Sequence, residues 1–124
     1  MIMKVLIIDD DEDDTLILSD ALKNVWPHVS CQISPSHGQW KTYLEDSETA
    51  PDIIFIDAFP LRGKKCFEEL TNLDIRDHFK IIVYTDESRP LEIDGYKNMG
   101  ASEILMKTGN YEELKMSLSL LKST

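Results

Sequence analysis

A chain of 124 residues can bury one ordinary hydrophobic core but not two, so residues 1–124 are expected to form a single domain. Its 13 basic residues stand against 23 acidic ones, a formal net charge of -10 at pH 7, which argues against nucleic-acid backbones and anionic membrane surfaces as partners and favours cations and basic proteins. No apolar run approaches the roughly 18 residues that span a bilayer, and the opening MIMKVLIID lacks the long apolar stretch of a signal peptide, so a cytoplasmic protein is expected.

The first predicted element is a strand at Val5–Ile8 (VLII). It does not alternate with polar residues, so both of its faces should be covered, as in the interior of a parallel sheet. Ile17, Leu18, Ala21, Leu22 and Val25 then recur at helical spacing until Pro27 stops the run. A weaker strand follows at Val29–Ile33, where Val29, Cys31 and Ile33 alternate. Ser36, with Gln39 three residues on, has the form of a capping box and predicts a helix through Trp40, Tyr43 and Leu44. Ile53–Ile56 (IIFI) is a second uninterrupted strand, followed by a helical stripe of Cys66, Phe67, Leu70 and Leu73. Ile81–Tyr84 (IIVY) is a third such strand. The helix after it, around Leu91–Met99, has a thin apolar stripe broken by Gly95 and is expected to be weakly held. A Gly100-Ala101 turn leads to a strand at Glu103–Met106. In the last helix Asn110 is the expected cap, with Glu113 three residues on, and Tyr111, Leu114, Leu118 and Leu121 form the buried stripe. Strand and helix alternate five times, which predicts a doubly wound α/β domain with helices on both faces. Cys31 and Cys66 have no CxxC partner and are expected to be reduced, buried and without chemistry.

In such a sheet ligands bind outside the carboxyl ends of the strands. The residues that follow the apolar runs are Asp9 and Asp10, Asp57, Thr85 and Lys107, so four strand ends deliver three carboxylates, a hydroxyl and an ammonium to one edge. Clustered carboxylates repel unless some protonate or a cation intervenes, and an all-oxygen set suits Mg2+. His28, His37 and His78 are dispersed, which argues against zinc. Asp11, Glu12, Asp13 and Asp14 are expected to be a solvated helix start, placed where the macrodipole favours acids.

These residues resemble those of the receiver domains of two-component response regulators over essentially the whole chain. "LIIDDD" is similar to the acidic pair after the first strand, "PDIIFIDAFP" to the phosphoacceptor strand, "IIVYT" to the fourth strand and "GASEILMK" to the fifth with its lysine. The resemblance implies a flavodoxin-like five-stranded parallel sheet of order 2-1-3-4-5 and a stand-alone, single-domain receiver. It implies Asp57 as phosphoacceptor, Asp9, Asp10, Asp57 and the carbonyl of Phe59 as ligands of Mg2+ (or Mn2+), and Thr85 and Lys107 as contacts of the phosphoryl oxygens. The implied partners are a sensor histidine kinase or phosphotransfer protein and an output protein, and the implied role is signalling, with no enzymatic activity beyond the domain's own phosphotransfer and autodephosphorylation.

Four positions depart from the family pattern. Thr108 stands where a proline follows the lysine, which is expected to loosen that loop; Ala58-Phe59-Pro60 is one residue shorter than the common spacing; Asp86 replaces a small residue; and Ile104 replaces an aromatic. They keep open a pseudo-receiver, the same fold acting as a phosphorylation-independent interaction module. A Mg2+-dependent phosphatase with an aspartyl nucleophile would need a second acid two residues after Asp57, where the chain has Phe59.

Overall fold

Alternate residues of the interior strands feed two separate cores, and this decides the architecture. The computed structural model describes residues 3–58, 61–75, 78–86 and 89–122. Within them the strands β1 (Met3–Ile8), β2 (Val29–Ser34), β3 (Ile53–Ile56), β4 (Lys80–Thr85) and β5 (Glu103–Met106) alternate with the helices α1 (Glu12–Val25), α2 (Trp40–Glu45), α3 (Leu61–Thr71), α4 (Pro90–Met99) and α5 (Tyr111–Lys122). All pairings are parallel and the order across the sheet is β2-β1-β3-β4-β5, as expected. Leu6, Ile8, Ile54, Ile56, Ile81 and Val83 pack on one face with Trp40, Leu44, Phe67, Leu70 and Tyr96. Val5, Ile7, Ile53, Phe55, Ile82 and Tyr84 pack on the other with Leu18, Leu22, Leu114 and Leu118. Because successive side chains of a strand point to opposite faces, an unbroken apolar run is what two covered faces require.

Several local expectations shift. β1, β2 and β4 extend beyond the predicted runs, since ladder hydrogen bonds recruit Met3, Lys4, Ser34, Lys80 and Thr85 regardless of polarity. Ile17 is 44% exposed, because the inward stripe of α1 runs through Thr15, Leu18, Ala21 and Leu22. Ile33 is also exposed, β2 being an edge strand. Leu73 lies past the end of α3 but is half-buried against the same core. The Ser36 capping box does not form: Gln39 is the N-cap of α2 and makes no side-chain cap bond. Asn110 does cap α5, accepting from the Glu113 amide at 3.1 Å. Thr108 ties down the loop expected to be loose, with its hydroxyl accepting from the Asn110 amide and donating to Glu113. In α4 only Tyr96 is buried, edge-on to Phe67, which leaves that helix the single anchor its composition predicts. Both cysteines are free, with Cys66 buried and Cys31 only half-buried. Among the described residues no helix is long and apolar enough to cross a membrane.

Candidate functional site

Two strand-end carboxylates and one from the first turn of α1 converge on an ammonium from a third strand end. Asp9 follows β1, Asp57 follows β3 and Lys107 follows β5, and each is placed by backbone bonds that continue the ladder: Asp9 to Ser34 at 3.2 Å, Asp57 to Ile8 at 3.0 Å and Lys107 to Thr85 at 2.7 Å. The Lys107 side chain, 12% exposed, brings its Nζ to 2.8 Å from Asp57 Oδ2, 2.7 Å from Asp14 Oδ2 and 2.9 Å from Asp9 Oδ2. The same ammonium lies 5.3 Å from the centre of the Tyr84 ring, within cation–π range. Asp9, Asp14, Asp57 and Lys107 line a cleft of about 380 Å³ together with Asp10, Asp11, Gly63 and Asp86.

The electrostatics follow from crowding and burial. Burial alone would push the Lys107 ammonium down, but its contacts with Asp14, Asp57 and Asp9 outweigh it, so its pKa lies above the ordinary lysine value. Asp9 is 6% exposed, and burial raises its carboxyl above the usual range in spite of the Asp11 amide and Lys107. The Tyr84 hydroxyl is pushed up to about 12 by burial and then by Asp14.

The site residues expected from the sequence are not all gathered. Asp9, Asp57 and Lys107 are in mutual contact. Asp10 lines the cleft, but its carboxylate accepts from the Ser36 amide at 2.7 Å and the Ser36 hydroxyl at 2.8 Å. Thr85 ends β4 as expected, yet it is fully buried and does not line the cleft. Phe59 lies outside the described residues. Asp86 is exposed and does line the cleft.

Two contributors were not anticipated. Asp14 was expected to face solvent with its neighbours in the acidic run; Asp11, Glu12 and Asp13 are exposed as expected, Asp11 capping α1 by accepting from the Asp14 amide at 3.1 Å, but Asp14 itself is half-buried against Lys107. Asp14 sits one turn before Leu18 and therefore on the inward face of α1, a spacing that could have revealed it. Gly63 is the second. A Cβ there would collide with the carbonyl oxygen of Asp57, so the first turn of α3 lies directly on the backbone of that residue.

The cleft suits a hard cation. Six carboxylates line it against one ammonium, and the buried Asp9 Oδ2, although close to Lys107, makes no aligned hydrogen bond. Among the described residues no three acid, imidazole or thiol side chains converge into a ready-made cage. Mg2+ does not need one, since it commonly takes one or two carboxylates and fills its octahedron with water and phosphate oxygens.

Neither a protein-family model nor a curated protein sequence matches the chain. Solved structures do. The phosphorylated cyanobacterial phytochrome response regulator RcpA is similar over 99% of this chain and 93% of its own, with 17% identity and a TM-score of 0.79. A response regulator from Thermotoga maritima is similar over the full length of both chains, with 17% identity and a TM-score of 0.78. The fold is that of response regulator receiver domains. The Mn(2+)-bound form of response regulator Rcp1, 15% identical over 98% of this chain and 92% of that one with a TM-score of 0.73, has the same receiver fold and was determined with a divalent cation present.

Proposed function

We infer that the chain is a receiver of a two-component phosphorelay, in which Asp57 takes a phosphoryl group from a histidine kinase or phosphotransfer protein. The observation that supports this best is the pairing of Asp57 with Lys107 at 2.8 Å in an acidic cleft at the carboxyl edge of a receiver-type sheet. An Asp57 carboxylate oxygen attacks phosphorus, the phosphorus–nitrogen bond of the donor phosphohistidine breaks, and an acyl phosphate and free imidazole result. Phosphoryl transfer needs little more than positioning and charge neutralisation. Lys107 supplies one compact positive charge that can follow the phosphoryl oxygens. Asp9, Asp10 and Asp57, with the Phe59 carbonyl, are the residues that would hold Mg2+, which when bound offsets the remaining negative charge. Thr85 is to hydrogen-bond a phosphoryl oxygen, and because it is buried away from the cleft, reaching one requires the end of β4 to turn. That movement would carry the signal to an output protein through protein contacts. The phosphoryl donor places this activity in the cytoplasm, and no catalysis beyond the domain's own phosphotransfer and autodephosphorylation is required.

Two observations favour a second reading, a pseudo-receiver that binds its partner without phosphorylation: Ser36 occupies Asp10, and Thr85 is fully buried and does not line the cleft. Incubation with acetyl phosphate and Mg2+, followed by intact mass measurement, separates the two. A phosphoryl increment lost in Asp57→Asn supports the receiver, and its absence from the wild type supports the pseudo-receiver. Label on any other acid refutes Asp57 as the acceptor.

A further inference from the structure

The Lys107 ammonium meets three carboxylates, donating hydrogen bonds to Asp14 and Asp57 and lying 2.9 Å from Asp9 Oδ2 as an ion pair without an aligned hydrogen bond. Two of them, Asp9 and Asp57, come from adjacent strands and are held by the β1–β3 pairing. The third, Asp14, comes from the first turn of α1, and its hydrogen bond of 2.7 Å is the shortest of the contacts. The three differ in their access to water: the Asp9 side chain is 3% exposed, that of Asp57 12% and that of Asp14 31%. An acid in the first turn of a helix could serve only to complement the helix dipole. Glu12 and Asp13 already do so from the exposed side, whereas Asp14 is turned inward onto Lys107.

We propose that Asp14 is a positioning residue for Lys107, holding the ammonium at the α1 side of the cleft and setting the balance between phosphoryl and divalent-cation binding. The proposal rests on the receiver reading of the cleft. A phosphoryl group on Asp57 brings new anionic oxygens beside Lys107, and an ammonium that shifts toward them does so at the expense of its carboxylate contacts. Asp9 is buried and would be left charged in a low-dielectric setting, which is costly. Asp14 faces water and is resolvated when released, so it is the partner that yields. Until then its charge opposes an incoming anion and favours a cation. Removing that charge therefore acts in opposite directions on the two ligands.

The test compares Asp14→Asn with Asp13→Asn, which removes the same charge from an exposed site in the same turn. Beryllofluoride affinity at saturating Mg2+ and Mg2+ affinity alone are measured by calorimetry. In Asp14→Asn beryllofluoride is expected to bind about three- to tenfold more tightly and Mg2+ more weakly by a similar factor, as for a unit charge a few ångströms away that water screens almost fully, the Asp14 side chain being 31% exposed. Asp13→Asn should move both far less, and Asp14→Glu should restore the wild-type pattern. Equal effects of the two asparagine variants, or shifts of both ligands in the same direction, overturn the proposal. Nitrogen-15 NMR of the Lys107 ammonium gives a readout that needs no ligand: its hydrogen exchange should quicken in Asp14→Asn and not in Asp13→Asn, and unchanged exchange in Asp14→Asn also overturns it. A wild type that takes no beryllofluoride would count against the receiver reading instead, and the ammonium signal alone then decides the role of Asp14.

Discussion

Replacing Gly63 by alanine tests how closely α3 is pressed onto the phosphoacceptor residue. Besides colliding with the Asp57 carbonyl oxygen, the added Cβ would lie 3.1 Å from the Asp57 carbonyl carbon and 3.2 Å from that of Ala58. All three are backbone atoms, so no rotamer change relieves the contact and the helix must lift away. Overpacking of this kind costs about 1–3 kcal/mol, and a clash with backbone belongs at the upper end. Alanine's better helix propensity returns about 1 kcal/mol. The net loss is about 2 kcal/mol, or roughly 8 °C in Tm for a chain of 124 residues. Gly95 provides the control. It too is within a helix, with nothing within 4 Å of its Cβ position, so Gly95→Ala should gain about 1 kcal/mol and raise Tm by roughly 4 °C. Thermal denaturation followed by circular dichroism measures both. Because the displaced carbonyl belongs to Asp57, Gly63→Ala should also weaken beryllofluoride binding, whereas Gly95→Ala should leave it intact. If Gly63→Ala melts at or above the wild-type temperature, α3 does not rest on Asp57 and the described geometry of the cleft is wrong.

Three further outcomes are expected. The Asp9 carboxyl is raised above its ordinary 3.8, so the folded chain holds that proton more tightly than the unfolded one and stability falls as pH rises from 3.8 through the raised value; Asp9→Asn should therefore be more stable than wild type at neutral pH without divalent cations, in urea titrations, with the gap closing below about pH 4, and a gap independent of pH would contradict this. Asn110→Ala should cost about 1 kcal/mol by removing the cap on α5, read as a lower urea midpoint at unchanged slope. Hydrogen exchange with and without beryllofluoride should change between Thr85 and Met99, where a buried threonine must turn and α4 has one buried anchor, with little change at Ile104; binding without any change in that segment would refute the switch.

The sequence by itself determined what depends on short-range pattern. The unbroken VLII, IIFI and IIVY runs required strands covered on both faces, because a strand's side chains alternate between the two cores. The polar residues ending those runs fell at one edge, because all the strands run parallel. Asp9, Asp10, Asp57, Thr85 and Lys107 were therefore legible as a group at one edge, of which Asp9, Asp57 and Lys107 are in mutual contact. The order of the strands was not contained in their periodicity and came only through resemblance to receivers. Tertiary structure alone decided the direction of the carboxylates. Asp10 and Asp14 stand in one acidic run, yet Asp10 turns to Ser36 on the β2–α2 connection and Asp14 to Lys107 after β5. Their partners lie 26 and 93 residues away and are brought close only when the crossovers close over the sheet. Gly63 is the same case. Its need for a bare Cα arises from the approach of α3 to the backbone of Asp57 and Ala58 just after β3, a distance set by packing and invisible in local composition.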